Sequence, residues 1–214
     1  IERDILRRWI KNSNINKYKV KESSQYIIYS DLINDTASYR GAMSYIEKYK
    51  NRLVNRRECK RGVRQWYQLQ WGRDSSLFER KKIVFPYKSS CNRFAMDTGS
   101  YSSADVYGMY IKDQYISKIS YEFLLGILNS KLYEFYFKCF GKKLGEDLYD
   151  YYPNTVMRLK VPLSDDTYIK GRVLEILDTT SDEMVNFHAK SIDNYLYKFF
   201  NLTEKEIQIV EGML

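Results

Sequence analysis

The sequence predicts an α+β fold: a small mixed or antiparallel sheet with flanking helices and a helical C-terminal tail. Three observations carry this. Short β-rich runs separated by polar turns fill residues 66–111. A strongly apolar helical run extends from Tyr121 to about Phe140. From Thr167 to Leu214 the chain reads as acidic helix. At 214 residues, with ordinary hydrophobic content and no repeats, the chain has ample length for a real core in one composite domain.

The elements follow in order. Residues 1–30 give a short helical or extended opening and then a strand at Gln25–Tyr29. Asp35 or Thr36 caps a helix running to about Arg57, because Tyr39, Met43, Ile46, Tyr49 or Lys50, and Leu53 recur at three- and four-residue steps. Arg40, Glu47, Asn51, Asn55 and Arg56 fall largely on its other faces. Trp66–Leu69, Lys82–Phe85, Phe94–Met96 and Val106–Ile111 read as strands. Residues 72–76, 87–92 and 98–100 are the turns between them. Pro86 ends its strand or places it at an edge, since it has no N–H to donate to a ladder. Ser120 caps the apolar helix, whose Phe123, Leu124, Leu125, Ile127, Leu128, Leu132, Phe135 and Tyr136 cover most of its circumference; burial against the sheet is expected. The stretch from Gly141 to Pro153 reads either as a flexible segment that orders on a ligand or as an ordinary surface loop. In the tail, Thr203-Glu204-Lys205-Glu206 fits a capping box, and Ile192, Leu196, Phe199 and Phe200 form an apolar stripe expected in the core.

Charge is unevenly placed. Between Lys48 and Arg93 there are 14 basic residues against the acids Glu58, Asp74 and Glu79, an excess larger than the net charge of +8 for the whole chain. Residues 1–93 hold 22 basic and 9 acidic groups, residues 94–162 hold 8 and 8, and residues 163–214 hold 5 and 10. Trp66, Tyr67, Trp71, Phe78, Phe85 and Tyr87 are threaded through the basic block. A basic, aromatic-laced block in an otherwise balanced chain points to a polyanion, with nucleic acid the first candidate. Arg57, Lys60, Arg61 and Arg64 follow the basic helix face and suit phosphates, although such a face is also commonly just solvated. The tryptophans read as framework rather than as base-stacking groups.

Several chemistries lack their residues. There is no Gly-x-Gly-x-x-Gly or Walker-type loop for a nucleotide. Cys59, Cys91 and Cys139 are far apart and His188 is the single histidine, so a zinc site is not expected and reduced thiols are, as in the cytoplasm. A nucleophilic centre would have to use His188, which lies in a polar helical stretch beside Phe187. Asp74, Glu79 and Lys81 resemble the acidic pair plus lysine of metal-dependent nucleases. However, only four residues separate the two acids, and metal-assisted cleavage needs converging carboxylates, so coincidence is the better reading. No apolar stretch approaches the roughly 20 residues that cross a bilayer. No catalytic or metal-ligating residue is assigned, and the chain reads as a binder.

The order of motifs is then informative. Trp66-Tyr67-Gln68-Leu69 precedes the run from Leu77 through Lys81-Lys82-Ile83-Val84-Phe85-Pro86, which precedes Asn92-Arg93-Phe94-Ala95-Met96-Asp97. Leu124-Leu125-Gly126-Ile127-Leu128-Asn129-Ser130-Lys131-Leu132 and Leu159-Lys160-Val161-Pro162 follow. This series resembles the TaqI-like C-terminal specificity domain of adenine-specific DNA methyltransferases and fused restriction-modification enzymes. In that family the helix reads L-x-x-L-N-S-K-L and the closing strand L-P-I-P, with Lys160 here in place of the usual proline. Asn14-Ile15-Asn16-Lys17-Tyr18 resembles the family's opening element, and Asn194–Val210 its helical tail.

The resemblance implies a DNA target-recognition domain over residues 1–162, with residues 163–214 an acidic helical extension packed on it. It implies double-stranded DNA as partner and an upstream methyltransferase domain of the same polypeptide. That upstream domain would bind S-adenosylmethionine, with no cofactor in this chain. The family's catalytic Asn-Pro-Pro-Tyr motif does not occur, and Tyr152-Pro153-Asn154 is not a version of it. The chain starts at Ile1 rather than Met, so an upstream segment is expected. The expected DNA contacts are first Arg61, Arg64 and Arg73, then Lys88, Asn92, Arg93, Lys142 and Lys143, with Gln65, Ser102 and Ser103 as polar readers. Arg suits guanine and Asn or Gln suits adenine, through paired hydrogen bonds to those base edges. Lys82 and Arg93 flank strands and have a solvated alternative. Two other readings compete: a single-stranded nucleic-acid binder that stacks bases on exposed aromatics, and an enzyme or protein-interaction module whose basic face docks an acidic partner.

Overall fold

The computed structural model describes residues 1–212. In chain order the strands are β1 (Leu6–Ile10), β2 (Tyr18–Lys19), β3 (Tyr26–Ile28), β4 (Lys82–Pro86), β5 (Lys88–Ser89), β6 (Ala95–Asp97), β7 (Tyr101–Ser102), β8 (Val106–Met109), β9 (Lys142–Lys143) and β10 (Tyr149–Asp150). The α-helices are α1 (Arg40–Glu47), α2 (Lys50–Leu53), α3 (Arg57–Lys60), α4 (Ser75–Glu79), α5 (Tyr121–Asn129), α6 (Lys131–Phe140), α7 (Pro153–Val156), α8 (Thr167–Asp178), α9 (Asp182–Phe199) and α10 (Glu204–Gly212). The architecture is α+β, with three small sheets and a helical C-terminal region. The chain divides into two compact units that interleave along the sequence. The first comprises Ile1–Ile10, Ser23–Arg80 and Thr98–Tyr101; the second comprises Lys11–Glu22, Lys81–Asp97 and everything from Ser102 onward. This division does not coincide with the boundary expected after Pro162, because the tail shares a unit with the strands of 82–97.

In the first unit β1 is central between β3 and β7, with Arg7 opposite Ile27 in an antiparallel ladder. Two apolar clusters hold it. Ile5, Ile33, Ala42 and Ile46 form one, and Tyr29, Phe78 and Tyr101 form the other. The single long helix expected over 36–57 is instead three short ones. Asp35 does turn the chain, accepting from the Ala37 N–H at 3.1 Å, but α1 begins only at Arg40. Its amides are satisfied from far away: the Glu2 carboxylate accepts from the N–H groups of Gly41 (2.8 Å) and Ala42 (2.9 Å). A carboxylate at a helix N-terminus satisfies orphan donors and complements the dipole. The strand expected at Trp66–Leu69 is a turn, because the Trp66 and Gln68 carbonyls are claimed by the Arg56 guanidinium at 2.8 and 2.7 Å instead of by a ladder.

The second unit is built on a mixed sheet in the order β2-β6-β4-β8, in which only β2–β6 is parallel. Pro86 ends β4, which is a central strand and not an edge. Lys82 is 2% exposed and forms a buried ion pair with Asp97 on the neighbouring strand at 2.6 Å, so the solvated alternative for it is wrong. Against this sheet lies α5, every residue of which from Phe123 to Asn129 is buried. The apolar helix is not continuous to Phe140. Ser130 leaves the helical region (φ −67°, ψ 153°), its hydroxyl donating to the Ile127 carbonyl (2.7 Å) and accepting from the Tyr133 amide (3.2 Å). The break frees Asn129 to bracket the Phe94 backbone, accepting from its N–H at 3.0 Å and donating to its carbonyl at 2.8 Å. Helices α8 and α9 cover α5, and Gly126 permits the approach, since a Cβ there would lie 2.6 Å from Ile169 Cγ2. The expected capping box holds α10, with the Glu206 carboxylate accepting from the Thr203 N–H at 2.7 Å. Of the tail stripe, Ile192 and Leu196 are core, whereas Phe199 and Phe200 are substantially exposed.

Candidate nucleic-acid interface

Within the first unit, the segment from Arg56 to Asp74 separates its cations into two kinds. Arg56 and Arg64 point inward and brace the backbone. Besides the two carbonyls already noted, Arg56 donates to the Leu53 carbonyl at 3.2 Å. Arg64 pairs with Asp31 at 2.8 Å, and the other oxygen of that carboxylate accepts from the Leu69 N–H at 2.8 Å. Gly72 lies against the same carboxylate so closely that a Cβ would fall 1.6 Å from Asp31 Oδ2; only glycine fits. The Tyr29 hydroxyl then binds Arg73, donating to its carbonyl and accepting from its N–H at 2.8 Å. Burial raises the Tyr29 pKa, so the phenol stays protonated and able to donate.

The other cations face water. Arg57, Lys60, Arg61 and Arg73 are exposed, as is Gln65. Glu58 is the one acid between Lys48 and Arg73, and it is buried with its carboxylate held by Arg57 at 3.1 Å. Every exposed charge from Lys48 to Arg73 is therefore positive. Trp71, expected as framework, is 70% exposed, in contrast to the half-buried Trp66.

Within the second unit, a three-stranded antiparallel ribbon in the order β5-β10-β9 joins distant predicted residues. Lys88 and Lys142 both stand opposite Asp150, and Lys143 stands opposite Tyr149. All three lysines are exposed. The 141–153 stretch is thus pinned, not free: Tyr151 is fully buried, stacks on Phe137 with ring centroids 4.2 Å apart, and donates a backbone hydrogen bond to the Tyr87 carbonyl. Beside the ribbon, Tyr87, Tyr107 and Tyr152 form an edge-to-face trio at 5.8–6.4 Å, with Lys88 Nζ 5.0 Å from the Tyr87 centroid.

Three expected contacts are structural instead. Asn92 is 0% exposed, donating to the Leu128 carbonyl at 2.7 Å and accepting from the Tyr151 hydroxyl at 2.8 Å; no base edge can reach it. Arg93 spends its guanidinium on Ser89 Oγ (2.9 Å) of β5, the Ile15 carbonyl (3.1 Å) and Asn12 Oδ1 (2.8 Å), which ties β5 to the turn that precedes β2. Arg64 is likewise committed to Asp31. Ser102 and Ser103 are half-buried, and Ser103 donates to the Asp105 carboxylate.

The nuclease-like trio does not converge. The Asp74 carboxylate caps α4 by accepting from the Ser76 N–H at 2.9 Å, and the Ser76 hydrogen bonds hold its pKa below the usual range. Glu79 accepts from the Tyr101 hydroxyl at 2.9 Å and lies 3.4 Å from Arg7, while Lys81 pairs with Glu122 at 2.5 Å. His188 is buried against α8, 3.1 Å from Glu175. Among the described residues no helix is long and apolar enough to cross a membrane.

Sequence comparison adds one finding: residues 7–163 match the profile of the family described as TaqI-like C-terminal specificity domain.

Proposed function

The chain belongs to the TaqI-like C-terminal specificity domain family, and from that premise we propose that it binds duplex DNA and selects the sequence on which a methyltransferase domain outside it acts. The observation that carries the reading is the run of exposed, exclusively positive charge from Lys48 to Arg73 on a braced backbone. Arg57, Lys60 and Arg61 supply phosphate contacts that set affinity and register. Gln65 and Arg73, on the braced turn, are the base-edge readers, because a locked backbone holds a bidentate donor at low entropic cost. Lys88, Lys142 and Lys143 add a second set of cations, in the second unit. The methyl donor, S-adenosylmethionine, belongs to the outside domain, whose chemistry on adenine this domain directs by positioning the duplex. The parent is a restriction-modification or methyltransferase polypeptide working in the cytoplasm.

The test is fluorescence anisotropy of the 214-residue chain with labelled duplexes and single strands over a salt series, after selection from a randomised duplex pool. The reading predicts enrichment of one short site and a duplex preference over single strand. It also predicts a log–log salt slope falling by about 1 for each phosphate-binding Lys or Arg replaced by Ala. Equal affinity for duplex and single strand, with no enriched site, would sink it in favour of the single-strand reading. Complete loss of binding at about 50 mM salt would favour an acidic protein partner.

A further inference from the structure

Trp71 sits in a position that framework packing does not explain. Its chain neighbours are fixed on both sides: Leu69 by the Asp31 carboxylate at 2.8 Å, Gly72 by its close seat on the same group, and Arg73 by the Tyr29 hydroxyl. The backbone is immobilised, yet the indole it carries is 70% exposed. An exposed indole is a large apolar surface left in water, and a π face able to stack. The exposed charges of the same segment are all positive, with Arg73 two residues on, while Arg56 and Arg64 turn inward to hold the turn. A polyanion that carries flat aromatic groups satisfies both features at once. An apolar protein surface satisfies only the first.

We propose that Trp71 is a base-stacking residue, whose indole lies on the face of a nucleobase left open at a distorted step of the bound duplex. The inference rests on the duplex-binding reading above and deepens it: the arginines hold the backbone while Trp71 recognises deformation. Because the turn is already ordered, stacking requires little further loss of chain freedom. Stacking is indifferent to base identity, since every base has a π face. Trp71 therefore contributes to recognising an unstacked step and not to reading its sequence.

The experiment compares the wild-type chain with Trp71→Ala and Trp71→Phe on a fully paired duplex and on the same duplex with a central abasic site. Circular dichroism melts check the fold, which an exposed side chain leaves unchanged. Wild type is expected to prefer the abasic duplex. Trp71→Ala is expected to lose roughly 10-fold or more on that duplex, with Trp71→Phe intermediate and all three salt slopes equal. Quenching of tryptophan emission on binding should also disappear in both variants. If wild type binds duplex but Trp71→Ala keeps the abasic preference, the stacking inference is overturned and the duplex reading stands. If wild type binds no duplex, the duplex reading itself fails. An altered sedimentation coefficient for Trp71→Ala with unchanged DNA discrimination would assign the indole to a protein contact and overturn the inference.

Discussion

Asn92 and Arg61 lie in the same basic, turn-rich part of the sequence, and their surroundings are opposite. Asn92 is closed off between the Leu128 carbonyl and the Tyr151 hydroxyl, whereas Arg61 ends α3 with its side chain in water. Truncating Asn92 would leave two buried polar partners unsatisfied, and each such group costs about 1–3 kcal/mol. Asn92→Ala is therefore expected to lower urea stability by about 2–4 kcal/mol, while the folded fraction binds DNA with wild-type affinity. Arg61→Ala is expected to leave stability within about 0.5 kcal/mol of wild type and to weaken DNA binding, with a salt slope smaller by about 1. Urea titration and anisotropy on the two variants check both. A change in DNA affinity for folded Asn92→Ala would restore it as a reader.

The glycines of α5 and α8 give an element-level contrast. A Cβ at Gly126 would meet Ile169 Cγ2 at 2.6 Å and Val173 Cγ2 at 2.9 Å, whereas one at Gly171, on the outer side of α8, would meet nothing within 4 Å. Gly126→Val is expected to be destabilising by about 3 kcal/mol through overpacking. Gly171→Ala is expected to stabilise by about 0.5–1 kcal/mol through helix propensity alone. Thermal melts decide, and a stabilising Gly126→Val would mean that α8 does not press on α5. The sequence already placed a buried helix at Tyr121, capped by Ser120, because its apolar residues run all round. The break at Ser130 was not legible, since serine is ordinary in a helix. Its cause lies 35 residues away, at the Phe94 backbone that Asn129 brackets. The same reason explains the fragmented helix at 36–57 and the missing strand at Trp66–Leu69. Glu2 and Arg56 impose those boundaries through long-range hydrogen bonds, which local periodicity cannot report. Residue type in the sequence does not tell which way each expected contact residue faces. Arg61, Arg73 and the three ribbon lysines face water, whereas Arg64, Asn92 and Arg93 serve the fold. Trp71 reads as framework in the sequence because tryptophan is usually buried, and its 70% exposure is a property of the fold.

At the scale of the whole chain, the two units divide the charge less sharply than the sequence segments do, because the second unit joins the basic residues of 11–22 and 81–93 to the acidic tail. The first unit holds 14 basic and 8 acidic residues, the second 21 and 19, so three-quarters of the net charge resides in the smaller unit. The near-neutral second unit also contains a carboxyl group that works against stability at neutral pH. Asp193 of α9 lines a cleft of about 440 Å³ with Lys17, Lys131, Lys190 and Glu211, and accepts from the Lys131 N–H at 2.8 Å. Burial raises its pKa to about 6, with the hydrogen bond and the charges of Lys17 and Lys131 opposing the rise and Glu211 adding to it. A carboxyl whose pKa is higher in the folded chain binds more protons there, so its contribution to stability declines as pH rises from about 4 to about 6. Above that window the ionised form is carried at a penalty on the order of 2–3 kcal/mol. Asp193→Asn keeps an oxygen for the Lys131 N–H but has no charge to desolvate. It is expected to be more stable than wild type by that order at about pH 7.5, with the advantage shrinking through about pH 6 and gone below about pH 4. Urea denaturation of both proteins across this range makes the comparison; a pH-independent difference, or a variant less stable at neutral pH, would show that the Asp193 charge is held by its lysines and not merely tolerated.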